Sequence, residues 1–188
     1  VVAAIQQQAA TLATVAPSHA NLQRGEAAKR IVEKAGPGFA KVFFTNGGAD
    51  AIENAIRMAR LTTRKHKVIS TFRSYHGNTG AAIAATGDWR RMPNEYAWGH
   101  LRVFGPFLYR SEFHATTEAE ECERALQHLE RTIQAEGPDT IAAMVLESVP
   151  GTAGIFAPPA GYLAGVRRIA DKYNIVLIAD EVMAGFGR

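Results

Sequence analysis

Apolar residues along this chain occur in two kinds of run, and the two kinds alternate. Short continuous runs, rich in β-branched and aromatic residues, occur at Lys41-Val42-Phe43-Phe44-Thr45, at Lys67-Val68-Ile69-Ser70-Thr71, from Thr140 to Leu146, and at Ile175-Val176-Leu177-Ile178-Ala179. Runs of that length bounded by turn residues predict strands buried on both faces. Between them, apolar residues recur at helical spacing: Ile52, Ile56 and Ala59 within 49–64, Ala125, Leu126, Leu129 and Ile133 within 117–136, and Leu163, Val166 and Ile169 within 161–173. Each predicts a helix with one buried stripe. A small-residue stretch from Gly80 to Thr86 predicts a close-packed helix start, and Gly87 to Tyr109 reads as irregular, carrying Trp89, Tyr96, Trp98, Phe104, Phe107 and Tyr109. Aromatics at that density also fit a subunit interface.

The first 38 residues are different. An Ala- and Gln-rich stretch from Val1 to Ala13 predicts one helix, and Pro17-Ser18-His19 breaks it. Asn21 is placed to cap a second helix running to about Ala35, which Gly36-Pro37-Gly38 ends. The expected organisation is an N-terminal helical part over 1–38 and an α/β part over 39–188. Strands alternating with helices, without hairpin signals, predict a mostly parallel, doubly wound sheet with flanking helices.

Composition narrows the class. A hydrophobic content of 47% and a charged content of 21% are those of an ordinary soluble globular domain. The net charge of +3 is mild. Its clusters, Arg64-Lys65-His66-Lys67 and Arg90-Arg91, lack interleaved aromatics, which argues against a nucleic-acid surface. One cysteine, Cys122, excludes an internal disulfide and fits a reducing, cytoplasmic setting. No apolar run approaches the ~20 residues that span a bilayer, and the opening residues lack the layout of a signal peptide. Both ends read as cuts through a longer chain.

In a parallel sheet every strand-to-helix loop lies on one edge, where such sheets bind ligands. Four loops converge there. Gly47-Gly48-Ala49 follows a strand run and opens a helix, where free amides and the helix dipole favour an anion. The same residues also make a plain tight turn. Neither the Gly-X-Gly-X-X-Gly fingerprint nor a P-loop is present at that turn. Tyr75-His76-Gly77 brings an aromatic and an imidazole, with a packed structural role open to His76. Glu147 ends a wholly apolar strand, an expensive place for a carboxylate unless paired, unless it lies just past the strand on the surface. Asp180 and Glu181 end the last strand, where an Asp is otherwise a turn residue or helix cap. Together, a phosphate cradle, an aromatic plate and two carboxylates suit a phosphorylated, flat, cationic ring.

Phe43-Phe44-Thr45-Asn46-Gly47-Gly48-Ala49-Asp50-Ala51, Tyr75-His76-Gly77, Glu147 before a Gly/Pro loop, and Asp180-Glu181-Val182-Met183-Ala184-Gly185-Phe186-Gly187-Arg188 resemble the class III aminotransferases. These are pyridoxal-phosphate enzymes of fold type I, often called ω-transaminases, and the resemblance covers nearly the whole chain. It implies that Asp180 pairs with the pyridinium nitrogen, Tyr75 stacks on one ring face and Val182 packs on the other. It further implies that Gly48 and Ala49 present amides to the phosphate, and that Glu147 and His76 stand close to the cofactor. Ala49 stands where many relatives carry Ser, so a hydroxyl donor is lost. Met183 stands where some carry a Gln, and a thioether cannot donate that bond, so Met183 is expected to line the substrate pocket.

The resemblance also implies a cofactor-bearing lysine beyond the Asp-Glu-Val motif. The lysines of this sequence, Lys29, Lys34, Lys41, Lys65, Lys67 and Lys172, fall on helix faces or at strand starts, the wrong edge for the site. The expectation is a partial large domain, inactive alone, whose Schiff-base lysine and C-terminal domain lie outside this sequence. Partners implied are an amino donor, a keto-acid acceptor such as pyruvate, and a second copy in a homodimer; no metal, membrane or nucleic acid is expected. An aminomutase, racemase or decarboxylase of the same family, or a non-catalytic module of the same fold, stays open.

Overall fold

The computed structural model describes residues 1–94 and 97–187. Tyr96 and Arg188, both singled out above, lie outside the described residues. The chain divides into two compact units, Val1–Phe44 and Thr45–Arg188.

The first unit holds helices α1 (Val2–Thr11) and α2 (Leu22–Ala35). The Asn21 Oδ1 accepts from the Arg24 amide at 3.0 Å and caps α2 as its sequence requires. The expected strand at Lys41–Thr45 does not form: these residues carry no regular structure, and Phe43 and Phe44 are exposed. Strand composition alone is not enough, because an extended segment has no intrinsic stability until its amides and carbonyls find a neighbouring strand. No described strand pairs with it.

The second unit is built on a parallel sheet of β1 (Lys67–Thr71), β2 (His100–Val103), β3 (Ile141–Glu147) and β4 (Val176–Asp180), ordered β2-β1-β3-β4. Helices α3 (Gly48–Thr63) and α4 (Gly80–Ala85) cover one face, and α5 (Glu118–Glu136) and α6 (Tyr162–Lys172) the other. Alternation along the strands assigns the faces. Val68, Val145 and Ile178 pack with Ile52 and Ile56 of α3 and with Ala82 and Ala85 of α4. Ile69, Met144, Leu146 and Leu177 pack with Leu129 and Ile133 of α5 and with Val166 and Ile169 of α6. The expected doubly wound α/β layering is present.

Two strands depart from expectation. β2 lies inside the stretch read as irregular; its sequence, His100-Leu101-Arg102-Val103, is half polar because it forms one edge of the sheet. β4 forms the other described edge, so Val176, Leu177 and Ile178 are only half-buried rather than covered on both faces. β3, paired on both sides, is buried from Ile141 to Leu146.

At the edge where strands begin, His100 is held beside Arg60, whose Nη2 lies 3.3 Å from the His100 Nε2. Burial, then the nearby guanidiniums of Arg60 and Arg102, lower its pKa from 6.5 to about 4, against a weak opposing pull from Glu53. The unfolded chain therefore binds a proton between pH 6.5 and about 4 that the folded chain refuses, and stability falls as pH drops through that window. Urea midpoints measured at pH 7 and pH 5 should show this loss. In His100→Asn the pH-dependent part of the loss should shrink; equal losses in both proteins would count against His100 as its source.

Candidate active site

The alternation that assigns the faces also aims the two strand-end carboxylates. Glu147 is in step with Val145, and Asp180 with Ile178, so both point to the α3/α4 face; they stand side by side in the β3–β4 register. Asp180 is 6% exposed. A carboxylate that deep must be paired. Its Oδ2 lies 2.7 Å from the Nδ1 of His76, which is also buried, and its Oδ1 accepts from the Val182 amide at 3.1 Å. Each oxygen keeps acceptor capacity beyond those bonds. His76 is itself fixed through its backbone amide, which donates to the Thr86 Oγ1 at 3.0 Å, while its Nε2 is buried without a partner among the described residues.

Glu147 solves the problem of a carboxylate on an apolar strand by accepting two backbone amides, from Tyr75 at 3.2 Å and Gly151 at 2.9 Å. One side chain thus ties the β1–α4 loop to the β3–α6 loop. Tyr75 is half-buried, and the guanidinium of Arg90 covers one face of its ring at 3.7 Å from the centroid.

Two close approaches draw the start of α3 into the same place. A Cβ on Gly48 would lie 2.9 Å from the Val182 Cγ2, so any side chain there would push Val182 away from the helix start. Gly77 has φ +125°, and a Cβ there would lie 2.6 Å from that of Ala49; glycine satisfies both the conformation and the space. α3 begins after Gly47 with no side-chain cap, so its first amides remain donors for an anion. Val182 is 56% and Met183 50% exposed, the latter packed against Gly151. An uncapped sixteen-residue helix with a glycine at its start, a buried carboxylate two residues before Val182, and a half-buried tyrosine fit a phosphorylated aromatic ring.

The structure brings together Gly48, Ala49, Tyr75, His76, Glu147, Asp180, Val182 and Met183 in the Thr45–Arg188 unit, by the contacts above. Three supports were not read from the sequence. Thr86 holds the His76 backbone, and Glu53 caps α4 through the amides of Ala81 and Ala82 at 2.6 and 3.0 Å. Glu121 is fully buried and holds the β2–α5 connection through the Phe107 amide at 2.6 Å and the Ser111 hydroxyl at 2.5 Å. The signal for Glu121 was available: it extends the Ala125–Leu129–Ile133 stripe one turn back, a carboxylate on an apolar face. Burial raises the pKa of neighbouring Cys122, in keeping with an inert thiol. Among the described residues no group of His, Cys, Asp and Glu is arranged to hold a metal ion, and no helix is long and apolar enough to cross a membrane.

Residues 1–188 match the family model described as aminotransferase class-III. The diaminobutyrate–2-oxoglutarate transaminase of Halomonas elongata is 38% identical, over 90% of this chain and 38% of its own length. The taurine–pyruvate aminotransferase of Rhodobacter capsulatus is 34% identical, over 100% of this chain and 42% of its own length. Among solved structures, the taurine:2-oxoglutarate aminotransferase of Bifidobacterium kashiwanohense, in complex with PLP and glutamate, superposes with a TM-score of 0.94. It is 44% identical, with 99% of this chain and 43% of that one covered. The chain spans about two fifths of the length of these curated relatives.

The Glu147 crosslink can be tested directly. Glu147→Gln keeps one carbonyl acceptor and loses the charge and the second acceptor, so one of the two amides loses its partner. The expected cost is about 1–3 kcal/mol, read as a lower urea midpoint. Hydrogen exchange should speed up selectively at Tyr75 or Gly151, whichever amide loses its acceptor. Unchanged exchange at both amides would show that the loops do not depend on Glu147.

Proposed function

The chain belongs to the class III aminotransferases, and we propose that it is the cofactor-binding part of an enzyme that moves an amino group from an amine or ω-amino acid to a keto acid. Its cofactor in this reading is pyridoxal 5′-phosphate. The acceptor is a small keto acid such as pyruvate or 2-oxoglutarate, in line with the relatives' activities. The observation that carries the reading is Asp180: a nearly buried carboxylate, fixed by His76, at the carboxyl edge of the sheet and within two residues of the segment that meets the α3 start.

Each residue then has a task. Asp180 holds a proton on the ring nitrogen, since an adjacent buried carboxylate favours the charged form of its partner. His76 holds the Asp180 carboxylate in one orientation. Tyr75 and Val182 enclose the ring from its two faces, and the Gly48 and Ala49 amides hold the phosphate. Glu147 keeps the Tyr75 loop in place, and Met183 lines the substrate side. When bound, the cofactor supplies an electron sink for the negative charge that develops as the substrate carbon loses its proton. We further propose a homodimer, and a cofactor-bearing lysine supplied by sequence outside these 188 residues; in the Thr45–Arg188 unit Lys65, Lys67 and Lys172 are all tied to other groups.

The test uses the whole protein. Incubated with pyridoxal phosphate it should develop a visible absorption band, and taurine or β-alanine with pyruvate should yield alanine. Asp180→Asn should retain phosphate-dependent cofactor binding but lose on the order of 100-fold or more in turnover. Near-normal turnover in that variant would make the assignment of Asp180 wrong, and absence of both band and alanine in the parent protein would defeat the transaminase reading.

A further inference from the structure

Of Asn21, Asn46, Asn54, Asn78, Asn94 and Asn174, only Asn46 precedes a glycine, and no aspartate does. The pair Asn46-Gly47 stands at the start of α3, where Gly47 is the cap residue. A backbone amide can attack the side-chain carbonyl of a preceding asparagine, and the attacking residue's own side chain is what hinders it. Glycine removes that hindrance.

The local structure leaves both reacting groups free. Asn46 and Gly47 are exposed. The Gly47 carbonyl is held, accepting from the Ala51 amide at 3.0 Å and from the Thr45 hydroxyl at 3.1 Å. Its nitrogen is not: among the described residues neither the Gly47 amide nor the Asn46 carboxamide makes a hydrogen bond. A Cβ on Gly47 would meet nothing within 4 Å, so the space around that nitrogen is open. Asn21 and Asn54 are engaged by contrast: the first caps α2, and the Asn54 Nδ2 donates to the Asp50 carbonyl at 2.8 Å. The setting also favours the reaction. Attack at Cγ builds negative charge on the carboxamide oxygen, next to a helix start with no side-chain cap, whose amides and dipole stabilise an anion.

We propose that Asn46 is a self-modification site: it deamidates through the Gly47 nitrogen while no phosphate occupies the α3 start, and the carboxylate it leaves there weakens phosphate binding. The Gly47 nitrogen loses its proton to solvent and bonds to the Asn46 Cγ; the Cγ–Nδ2 bond breaks and Nδ2 leaves as ammonia. Water then opens the cyclic imide at either carbonyl. Opening at Cγ gives aspartate, and opening at the main-chain carbonyl gives isoaspartate, whose backbone is one methylene longer. The sum is carboxamide plus water to carboxylic acid plus ammonia, with no oxidant or reductant. Either product sets a negative charge beside the Gly48 and Ala49 amides, where it repels a phosphate and competes for its donors. A phosphate already in place occupies those donors and opposes the charge that builds during attack. The occupied site therefore ages slowly and the empty one quickly. The conversion stands on the local structure alone; its effect on the cofactor rests on the transaminase reading.

The whole protein, freed of cofactor, is held in warm, mildly alkaline buffer and followed by peptide mapping with mass spectrometry. Asn46 should convert about tenfold faster or more than Asn78, which is also exposed but precedes Thr79. Isoaspartate methyltransferase should label the Asn46 peptide above all others. Gly47→Ala should slow the conversion about tenfold; the Gly47 φ of −176° is extended backbone that alanine also adopts. Pyridoxal phosphate should slow it about threefold or more, and so should inorganic phosphate as a separate probe. Aged protein, and fresh Asn46→Asp, should bind pyridoxal phosphate about tenfold more weakly, read from the visible band. Gly47→Ala incubated alike should keep the affinity of its own fresh sample. Conversion no faster at Asn46 than at Asn78, or undiminished in Gly47→Ala, overturns the modification site. Conversion indifferent to both phosphates, or unweakened binding in aged protein and Asn46→Asp, overturns its link to the α3 start. Phosphate-slowed conversion in a protein that develops no cofactor band would instead defeat the transaminase reading and leave the modification site standing.

Discussion

The contact between Asp180 and His76 is the constraint on which the arrangement of this site depends. A carboxylate at 6% exposure cannot stand unpaired at the end of an apolar strand. Its nearest covalent neighbours offer only one amide, that of Val182. The second partner comes from the loop after β1, two strands away in the sheet order, because parallel topology puts that loop on the same edge. Satisfying one buried charge therefore fixes the position of the Tyr75-His76-Gly77 loop relative to β4. Removing either partner would leave a buried group unmatched, which costs more than the pair gains.

The remaining loops are locked to that pair by two different devices. Glu147 works by hydrogen bonding: it stands beside Asp180 in register and reaches backbone amides in two loops. Glycine works by sterics, at positions where another segment passes within 3 Å of where a Cβ would be. Gly48 admits Val182, and Gly77 admits Ala49. Fixing the Glu147 side chain costs rotamer entropy, while the glycine contacts cost none from side chains. Val182 and Met183 are left about half exposed.

Much of this was legible in the sequence because it followed from local pattern. Helical stripes and the apolar runs at Lys67–Thr71, Thr140–Leu146 and Ile175–Ala179 set the layers, and the carboxylates at the ends of two of those runs marked the working edge. The failures share a cause, which is dependence on a neighbour that the local sequence does not name. Lys41–Thr45 has strand composition but no strand to pair with, and His100–Val103 lacks strand composition but borrows a ladder from β1. His76 was read as a residue with a structural role open to it, and that role turns out to be the orientation of Asp180, 104 positions away. Arg90 looked like half of a surface basic cluster; its contact with Tyr75 exists only because Gly87 lets the chain double back on β1.

The opposite edge of the sheet explains why the lysines of this unit belong to the scaffold. Lys65 donates to the carbonyls of Pro138, Tyr173 and Asn174, at 3.2, 3.3 and 3.2 Å, gathering the chain ends that lead into β3 and β4. Lys67 donates to the Glu136 carbonyl at 2.7 Å and to its carboxylate at 2.8 Å, closing the end of α5. Carbonyls at helix ends and before strands have no ladder partner of their own, and an ammonium with three donors is suited to collecting them. β1 separates Lys67 from the Tyr75 loop by four residue steps, roughly 13 Å, farther than a lysine side chain extends. Lysine at strand starts and carboxylate at strand ends is thus a division of labour set by the parallel sheet: one edge is closed by cations on orphan carbonyls, and the other by carboxylates that collect the amides and the imidazole of the strand-to-helix loops.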